Sequence, residues 1–186
     1  MTQTQTVTIP GYVAGTWTID ALHSEVGFSV RHMMVSKVRG KFTKFAGELV
    51  TAENPLDSAV TAEIDLASID TGSEQRDGHL RSPDFFDTDN HPQMTYRSAG
   101  IRADGGDYVL DGELTLKGVT RRVPLKLELN GFGPDAYGGT RAGFTATGQI
   151  NRADFGVTWN AAIEGGGVVV ADKVDIHLEI EAVLQA

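Results

Sequence analysis

The sequence contains no cysteine, and this absence excludes several kinds of chemistry. A disulfide, a thiolate nucleophile and a cysteine-ligated zinc or iron–sulfur site all need a Cys side chain. The five histidines form no H-E-x-x-H or H-x-H motif and no pair at i, i+4 spacing, so no local motif indicates a metal site. A metal would need histidines that are distant in sequence to converge in the fold, namely His23, His32, His79 and His91.

Basic charge and long apolar runs are also scarce. Lys and Arg number 16 against 25 Asp and Glu, which gives a formal net charge of -9. Nucleic-acid binding relies on a basic surface, so we expect no nucleic-acid partner. No run approaches the ~18 apolar residues that a membrane helix needs, so we expect no transmembrane segment. The first residues have neither a basic region nor an apolar core of a signal peptide, and we therefore expect a cytoplasmic protein.

Alternation of apolar and polar residues is the dominant pattern in the chain. Period two indicates strands with one buried face, and about eight or nine such runs occur between residues 13 and 186. Without long amphipathic helices to cover them, these faces must pack on each other, in a barrel or a sandwich. We predict a single all-β domain, an antiparallel up-and-down barrel of about eight strands, after a flexible tail over residues 1–12.

Glycine and proline mark the predicted connections between the strands. The region from Gly131 to Gly139, with Pro134 inside it, predicts a long loop. The triplet Gly165–Gly167 predicts a flexible turn before a last strand over Val168–Val183.

One long stretch, Arg76 to Tyr96, interrupts the alternation. A capping-box spacing over residues 71–74 and the pair Ser82-Pro83 predict one or two short helical turns near 74–87, over 74–81 and 83–87. Loops on a rigid scaffold hold many binding groups, so this stretch is the first candidate for a site. We expect it to act as a lid over one end of the barrel.

The charged side chains of this lid have two interpretations. The charged set is either a solvated helix face with an ion pair or a polar cap for an anionic head group. The adjacent pair Phe85-Phe86 plugs the barrel end in both cases. The charged residues are Arg76, Asp77, His79 and Arg81.

The barrel interior is open to two interpretations because several inward positions are small. Small residues alternate with large ones such as Phe28 and Phe144 in a filled barrel, whereas missing volume leaves an apolar tunnel. On the apolar face of its strand, His32 is either a hydrogen-bonded core residue or a polar group in that tunnel. The small inward positions are Gly47, Ala62, Gly112, Ala146 and Gly148.

Two arrangements suggest catalysis. Asp20, His23 and Ser24 have the residue types of a hydrolase, although the G-x-S-x-G turn is missing and Ser24 suits a turn. The second arrangement is an enzyme in which His32, His79 and Asp77 act as acid–base groups. A third hypothesis is a structural or stress-response module whose exterior binds another protein.

Taken together, an ordered set of motifs over about residues 14–184 resembles the YceI-like family of polyisoprenoid-binding proteins. The motifs are Trp17-x-Ile-Asp-x-x-His23-Ser24, Val30-x-His32-Met33, Val38-x-Gly40-x-Phe42, Arg76-Asp-x-His79-Leu80, Asp84-Phe85-Phe86, Gly112-x-Leu-Thr-Leu-x-Gly118-Val-Thr and Asn151-Arg-x-Asp-Phe155-Gly156.

This resemblance implies an elongated, lipocalin-like barrel whose lumen takes a long isoprenoid or related amphiphilic chain. The implied function is non-enzymatic binding, storage or transport of a long-chain lipid, without a metal or organic cofactor. An isoprenoid lipid of the polyprenyl diphosphate or isoprenoid quinone type would then co-purify with the protein. Many members of the family are exported. Both a monomer and a homodimer are compatible with the sequence.

The resemblance also carries ligand-binding positions onto this sequence. Apolar lumen positions fall on Trp17, Phe28, Phe42, Leu66, Leu114 and Phe155. Polar neighbours fall on His32, Arg76, Asp77 and His79. With the inward-facing Phe144 and the lid pair Phe85 and Phe86, these residues make up the predicted site.

Overall fold

The computed structural model describes residues 8–33, 35–161 and 169–185. The described strands form one antiparallel sheet, accompanied by one α-helix, α1, over Glu74–Arg81. Short 3-10 helices cover Pro55–Asp57, Leu66–Ser68 and Arg152–Phe155. The strands are β1 Gly15–Ile19, β2 Glu25–His32, β3 Ser36–Phe42, β4 Phe45–Thr51, β5 Ala59–Asp65, β6 Ile69–Asp70, β7 Gln93–Asp104, β8 Asp107–Leu116, β9 Val119–Arg122, β10 Leu125–Pro134, β11 Thr140–Asn151 and β12 Val170–Leu184.

Eight of the described strands close into a barrel. Their order is β1, β4, β5, β7, β8, β10, β11 and β12, and β12 pairs back onto β1. At the other end of the barrel, β2 and β3 take the places of β1 and β4, because β2 pairs with both β12 and β3. Every pairing is antiparallel, and β9 is a side strand on β8. The predicted all-β, up-and-down barrel of about eight strands is therefore confirmed.

Two serine hydroxyls bridge the places where long strands break. Ser24 lies between β1 and β2, accepts a hydrogen bond from the Glu181 backbone N–H at 2.9 Å, and donates to the Glu181 carbonyl. Ser68 accepts a hydrogen bond from the Lys44 backbone N–H at 3.0 Å between β3 and β4. A buried or half-buried backbone group without a partner is costly, so these hydroxyls compensate for missing ladder bonds.

The predicted connections are partly wrong. Helix α1 confirms the first helical turn, but residues 83–87 form non-helical turns. The loop predicted over 131–139 is wrong at its start, because β10 continues to Pro134 after a bulge between Leu129 and Gly131. Pro134 fits there because it ends the strand, where a missing N–H costs little. The Gly165–Gly167 turn and Val168 lie outside the described residues.

The predicted tail also lies partly outside the described residues, since residues 1–7 are not described. Within the rest of that segment, the Tyr12 hydroxyl donates to the carbonyl of Ala52. The Tyr12 ring meets Phe132 edge-on at 5.2 Å between ring centroids. Residues around Tyr12 therefore lie against the barrel, and flexibility of residues 1–7 stays a prediction.

A buried cluster around Trp17 closes the end of the barrel at which β1 meets β12. Trp17 is 0% exposed, and its indole N–H donates to Thr51 Oγ1 at 2.8 Å. Phe132 packs on the indole edge at 5.7 Å between ring centroids. Ala142 and Ala182 provide the space that the indole ring fills. The inward position predicted for Trp17 is thus a packing position at the barrel end.

We expect Trp17→Ala to lower the free energy of unfolding by about 3–5 kcal/mol, because it removes a fully buried ring and leaves a cavity. Urea unfolding followed by far-UV circular dichroism measures this loss. Tyr137→Ala is the control, since Tyr137 is 89% exposed and a surface change should stay within about 0.5 kcal/mol. Equal stability of the two variants would contradict a closing role for Trp17.

Candidate functional site

A cavity of about 290 Å³ occupies the barrel interior, so the barrel is not completely filled. This volume is close to the lower end of the ~300–1,000 Å³ typical of small-molecule sites. On β12, every lining residue from Val170 to Ile180 lies on the same face. At ~3.3 Å per residue this row covers roughly 30 Å. The cavity is therefore long and narrow, which agrees with the tunnel interpretation.

The wall of the cavity is almost entirely apolar. Its side chains come from all eight barrel strands, from β2 and β3, and from the lid. No Asp, Glu, Lys or His lines it among the residues that the structure describes. The lining polar side chains are Tyr12, Thr51, Ser58, Tyr96, Tyr108 and Arg152.

Tyr96 is a polar group that the wall has already satisfied. Its hydroxyl donates to the carbonyl of Val123 at 2.9 Å. Burial, and after it the Asp111 carboxylate, raise the pKa of the Tyr96 phenol. The ring therefore stays neutral and contributes mainly apolar surface to the cavity.

Arg152 is a buried cation in the wall, and sequence reasoning missed its role. It follows β11, in the 3-10 helix Arg152–Phe155, and is 7% exposed. Burial lowers the pKa of its guanidinium. Its N–H groups donate to the carbonyls of Val157, Trp159, Val170 and Ala171. The guanidinium thus ties residues 157–159 to the start of β12.

The signal for Arg152 was present in the motif Asn151-Arg-x-Asp-Phe155-Gly156. An arginine between strands is usually solvated, and spacing does not show which carbonyls will surround it. The described hydrogen-bond acceptors of the Arg152 guanidinium are all backbone carbonyl oxygens.

The lid covers the end of the cavity opposite Trp17. Leu80, Phe85 and Phe86 line the cavity, and Phe85 is 6% exposed. Three rings form a cluster at this end: His79 lies 5.0 Å from Phe85 and 4.7 Å from Trp159, and Phe85 lies 5.3 Å from Trp159. These residues therefore lie where the lid was expected, and a gating role for the segment stays a prediction.

The predicted site residues divide into two groups by position. Their contact with a ligand stays a prediction in both groups. The cavity wall contains Phe28, Phe42, Phe85, Phe86, Leu114 and Phe144. Outside the wall lie the buried core residues Trp17, Leu66 and Phe155 and the polar residues His32, Arg76, Asp77 and His79.

Two of the polar residues bind Thr71 at the end of β6 rather than facing the cavity. The Thr71 backbone N–H donates to Asp77 Oδ1 at 3.0 Å, and the Thr71 hydroxyl donates to the same oxygen. Arg76 donates from Nε to Thr71 Oγ1 and from Nη2 to the Thr71 carbonyl, each at 2.7 Å. This pairing holds α1 against the barrel, which is a structural reason for both side chains.

The two histidines of the predicted set lie in different surroundings. His79 Nε2 is 2.8 Å from Asp84 Oδ2 within the lid. His32 ends β2, in register with Ser36 and Val170. Together with Asp77 they form no group of metal-ligating atoms within 4.8 Å among the described residues. The structure therefore does not bring His32, His79 and Asp77 within 4.8 Å of one another.

Three of the small inward positions are occupied by a neighbour instead of by empty space. A Cβ at Gly112 would lie 2.4 Å from Tyr96 Oη, and one at Gly148 would lie 2.6 Å from Leu125 Cδ2. A Cβ at Gly47 would lie 2.5 Å from Ile19 Cδ1. The interpretation of these glycines as tunnel volume is wrong, whereas Ala62 and Ala146 line the cavity.

Among the described residues, Asp20, His23 and Glu181 form a cluster of side chains of the kinds that ligate metals. Its centre is already neutralised, because Arg141 Nη1 lies 2.8 Å from Asp20 Oδ2 and 2.9 Å from Glu181 Oε2. His23 Nδ1 lies 2.7 Å from Asp20 Oδ2. Ser24 is bonded to the Glu181 backbone, so the hydrolase arrangement is not formed either.

Among the described residues, no helix has both the length and the apolar character needed to cross a membrane.

Comparison with known proteins agrees with this architecture. The YceI-like domain matches residues 17–182. Protein YceI of Escherichia coli O17:K52:H18 is 38% identical over 176 residues, which cover 93% of this chain and 89% of that protein. The crystal structure of Burkholderia cenocepacia BcnA is similar with a TM-score of 0.75 at 26% identity, covering 88% of this chain and 98% of that chain.

A polyisoprenoid-binding domain from Saccharophagus degradans, implicated in plant cell wall breakdown, has the same fold. Its TM-score is 0.69 at 18% identity, and the match covers 91% of this chain and 98% of that chain.

The Asp20–Arg141 pair predicts a dependence of stability on acid. The Arg141 hydrogen bond, and after it that of His23, lower the pKa of Asp20 from 3.8 to about 2. A carboxyl group whose pKa is lower in the folded state stabilises the protein at pH values above its ordinary pKa. This stabilisation is lost as the pH falls toward the folded-state pKa. We expect Asp20→Asn to be less stable than wild type at pH ~5 and to approach it by pH ~2.

Urea unfolding of both proteins across this pH range measures the difference. A difference that stays constant from the upper to the lower pH would contradict the assignment to the ionised Asp20.

Proposed function

Because the chain belongs to the YceI-like domain family, we propose that its barrel binds a polyisoprenoid or related long-chain amphiphilic lipid and stores or transports it unchanged. The observation that carries this proposal is the long apolar cavity, with its row of lining residues from Val170 to Ile180. The polyisoprenoid-binding domain of Saccharophagus degradans, which has the same fold, supports the same ligand class.

The shape and polarity of the cavity favour a linear hydrocarbon over a compact polar ligand. An apolar chain is held by burial of its surface, at about 25 cal/mol per Å² before the entropy of binding is subtracted. A polar ligand would lose its water and find few partners, which costs free energy. A flexible prenyl or acyl chain can follow the narrow space between β12 and the opposite wall.

The head group of such a lipid finds no free charged partner among the described residues of the wall. The guanidinium of Arg152 donates to backbone carbonyls, and the Tyr96 hydroxyl donates to Val123. An anionic head group inside the cavity would therefore be desolvated without an available cation among the described lining residues. A neutral head group of the quinone type can enter, whereas a diphosphate fits only at an end of the barrel.

A cytoplasmic location and a homodimer remain predictions. Neither follows from the cavity.

Ala146→Phe tests the cavity as the binding site. Ala146 lines the cavity on β11, in register with Leu127 and Leu178, so a phenyl ring there would enter the middle of the tunnel. The ring would occupy volume in which the proposed chain lies, so affinity for a polyprenol or an isoprenoid quinone should fall about 10- to 100-fold, which corresponds to ~1.4–2.8 kcal/mol. Native mass spectrometry of protein mixed with each lipid measures the bound fraction.

Thr147→Phe is the matched control, because it adds the same ring at the next position of β11, in register with Lys126 and His177. Position 147 does not line the cavity, so this variant should bind lipid as wild type does. Unchanged lipid affinity in a folded Ala146→Phe protein would show that the ligand binds elsewhere.

A further inference from the structure

The β2–β3 hairpin, Glu25–Phe42, is basic in an acidic protein. Positions 26–47 contain no Asp or Glu, although the chain has 25 of them and a formal net charge of -9. Five cations lie in that stretch: Arg31, Lys37, Arg39, Lys41 and Lys44.

The hairpin register collects four of these cations on one face, and Lys44 lies beyond the hairpin. Lys37, Arg39 and Lys41 alternate along β3 and therefore point to the same side of the sheet. Arg31 is the register partner of Lys37 across the hairpin. All four are exposed. Like charges directly opposite each other in a sheet destabilise it, so packing alone does not explain this arrangement.

The cations of the hairpin form no ion pair within 4.0 Å among the described residues. Other arginines of the barrel do: Arg102 lies 2.7 Å from Asp111, and Arg141 binds three carboxylates. Among the described residues, Asp70 is the register partner of Lys41 and Asp175 that of Ser29. Asp172 lies on β12 between the register partners of Val30 and His32, and so stands beside Arg31 without an ion pair to it. Within the described parts of the chain, Lys37 and Arg39 thus have no carboxylate at ion-pair distance and present positive charge to solvent.

Two described residues at the tip of the hairpin are apolar and exposed. Met33 is 43% exposed and Val35 is 83% exposed. Hairpin turns usually carry Gly, Asn or Asp, which are favourable in both conformation and solvation. Apolar side chains flanked by Lys and Arg are typical of elements that lie in a membrane interface. The apolar side chains enter the lipid boundary, and the Lys and Arg side chains bind anionic head groups.

The hairpin also stands at the lid end of the cavity. The Met33 backbone N–H donates to the carbonyl of Val169 at 2.9 Å. His32 is in register with Val170, and both Val30 and Val170 line the cavity. The same strands that carry the exposed cations thus form the rim of the apolar space.

We propose that the β2–β3 hairpin docks the barrel onto an anionic phospholipid surface. Met33 and Val35 enter the interface, and Arg31, Lys37 and Arg39 bind the negatively charged head groups. The occupant follows from charge complementarity together with the apolar tip, since a purely electrostatic partner would need no exposed Val or Met. Docking goes beyond the proposed lipid binding and does not depend on it, because the hairpin cations lie outside the cavity.

Vesicle flotation tests this proposal with the full chain. Wild type should float with vesicles of phosphatidylcholine and phosphatidylglycerol, should not float with phosphatidylcholine alone, and should dissociate as salt is raised. Each cation near an anionic surface contributes about fivefold to partitioning, so Lys37→Gln/Arg39→Gln should weaken binding about 30-fold. Arg121→Gln/Lys126→Gln is the matched control, because it removes the same charge on β9 and β10, across the barrel, and should bind as wild type.

A second variant, Val35→Ser, separates the apolar contribution from the charge and should weaken partitioning by up to about tenfold. Wild type that stays unbound with phosphatidylglycerol vesicles, or a Lys37→Gln/Arg39→Gln variant that binds as the control does, would overturn the proposal. Capture of an acidic protein without vesicle binding would overturn it too. The hairpin variants should keep wild-type affinity for a polyprenol in solution, so failure of docking and failure of the cavity proposal are distinguishable.

Discussion

Closure of the first strand onto the last is the constraint on which the rest of this structure depends. β1 pairs with β12 through Trp17 and Leu184, Thr18 and Val183, and Ile19 and Ala182. At this end of the barrel, these pairs close the sheet and remove edges that would otherwise be available for association with another chain. They also place the inward faces of all strands around one space. The cavity, the buried Trp17 and the position of the lid all follow from this closure.

Polar side chains in the barrel interior form hydrogen bonds with the backbone, so the surface left facing the cavity is mostly apolar. Tyr96 donates to Val123, and Arg152 donates to carbonyls on both sides of the connection to β12. A buried charge without partners would cost several kcal/mol, so this use of the backbone makes a buried arginine tolerable. Among the described residues, Arg152 is the only charged side chain in the cavity wall. The exposed cations of the β2–β3 hairpin have the opposite sign to the net charge of the protein.

Much of the fold followed from residue pattern, and less of the site did. Helix α1 was predicted from a capping-box spacing over residues 71–74, which places the cap at Thr71. The structure has the helix but caps it at Ser73, whose side chain accepts a hydrogen bond from the Arg76 backbone N–H. Residues 83–87 did not form the second helical turn, and β10 runs through Gly131 to Pro134, where a loop was predicted. Turn residues allow several backbone outcomes. In the site, Phe28 and Phe144 line the cavity as their alternation predicted, whereas Asp77 contacts Thr71.

The sequence by itself determined the strands, the face on which each side chain lies and the acid-free stretch over positions 26–47, because these are properties of spacing along the chain. Only the tertiary structure decided which inward side chains leave space. Gly112 and Gly148 are filled by Tyr96 and Leu125, while Ala146 lines the cavity. The reason is physical: a residue's face is set by its own strand, but the volume next to it is set by side chains that barrel closure brings from distant strands.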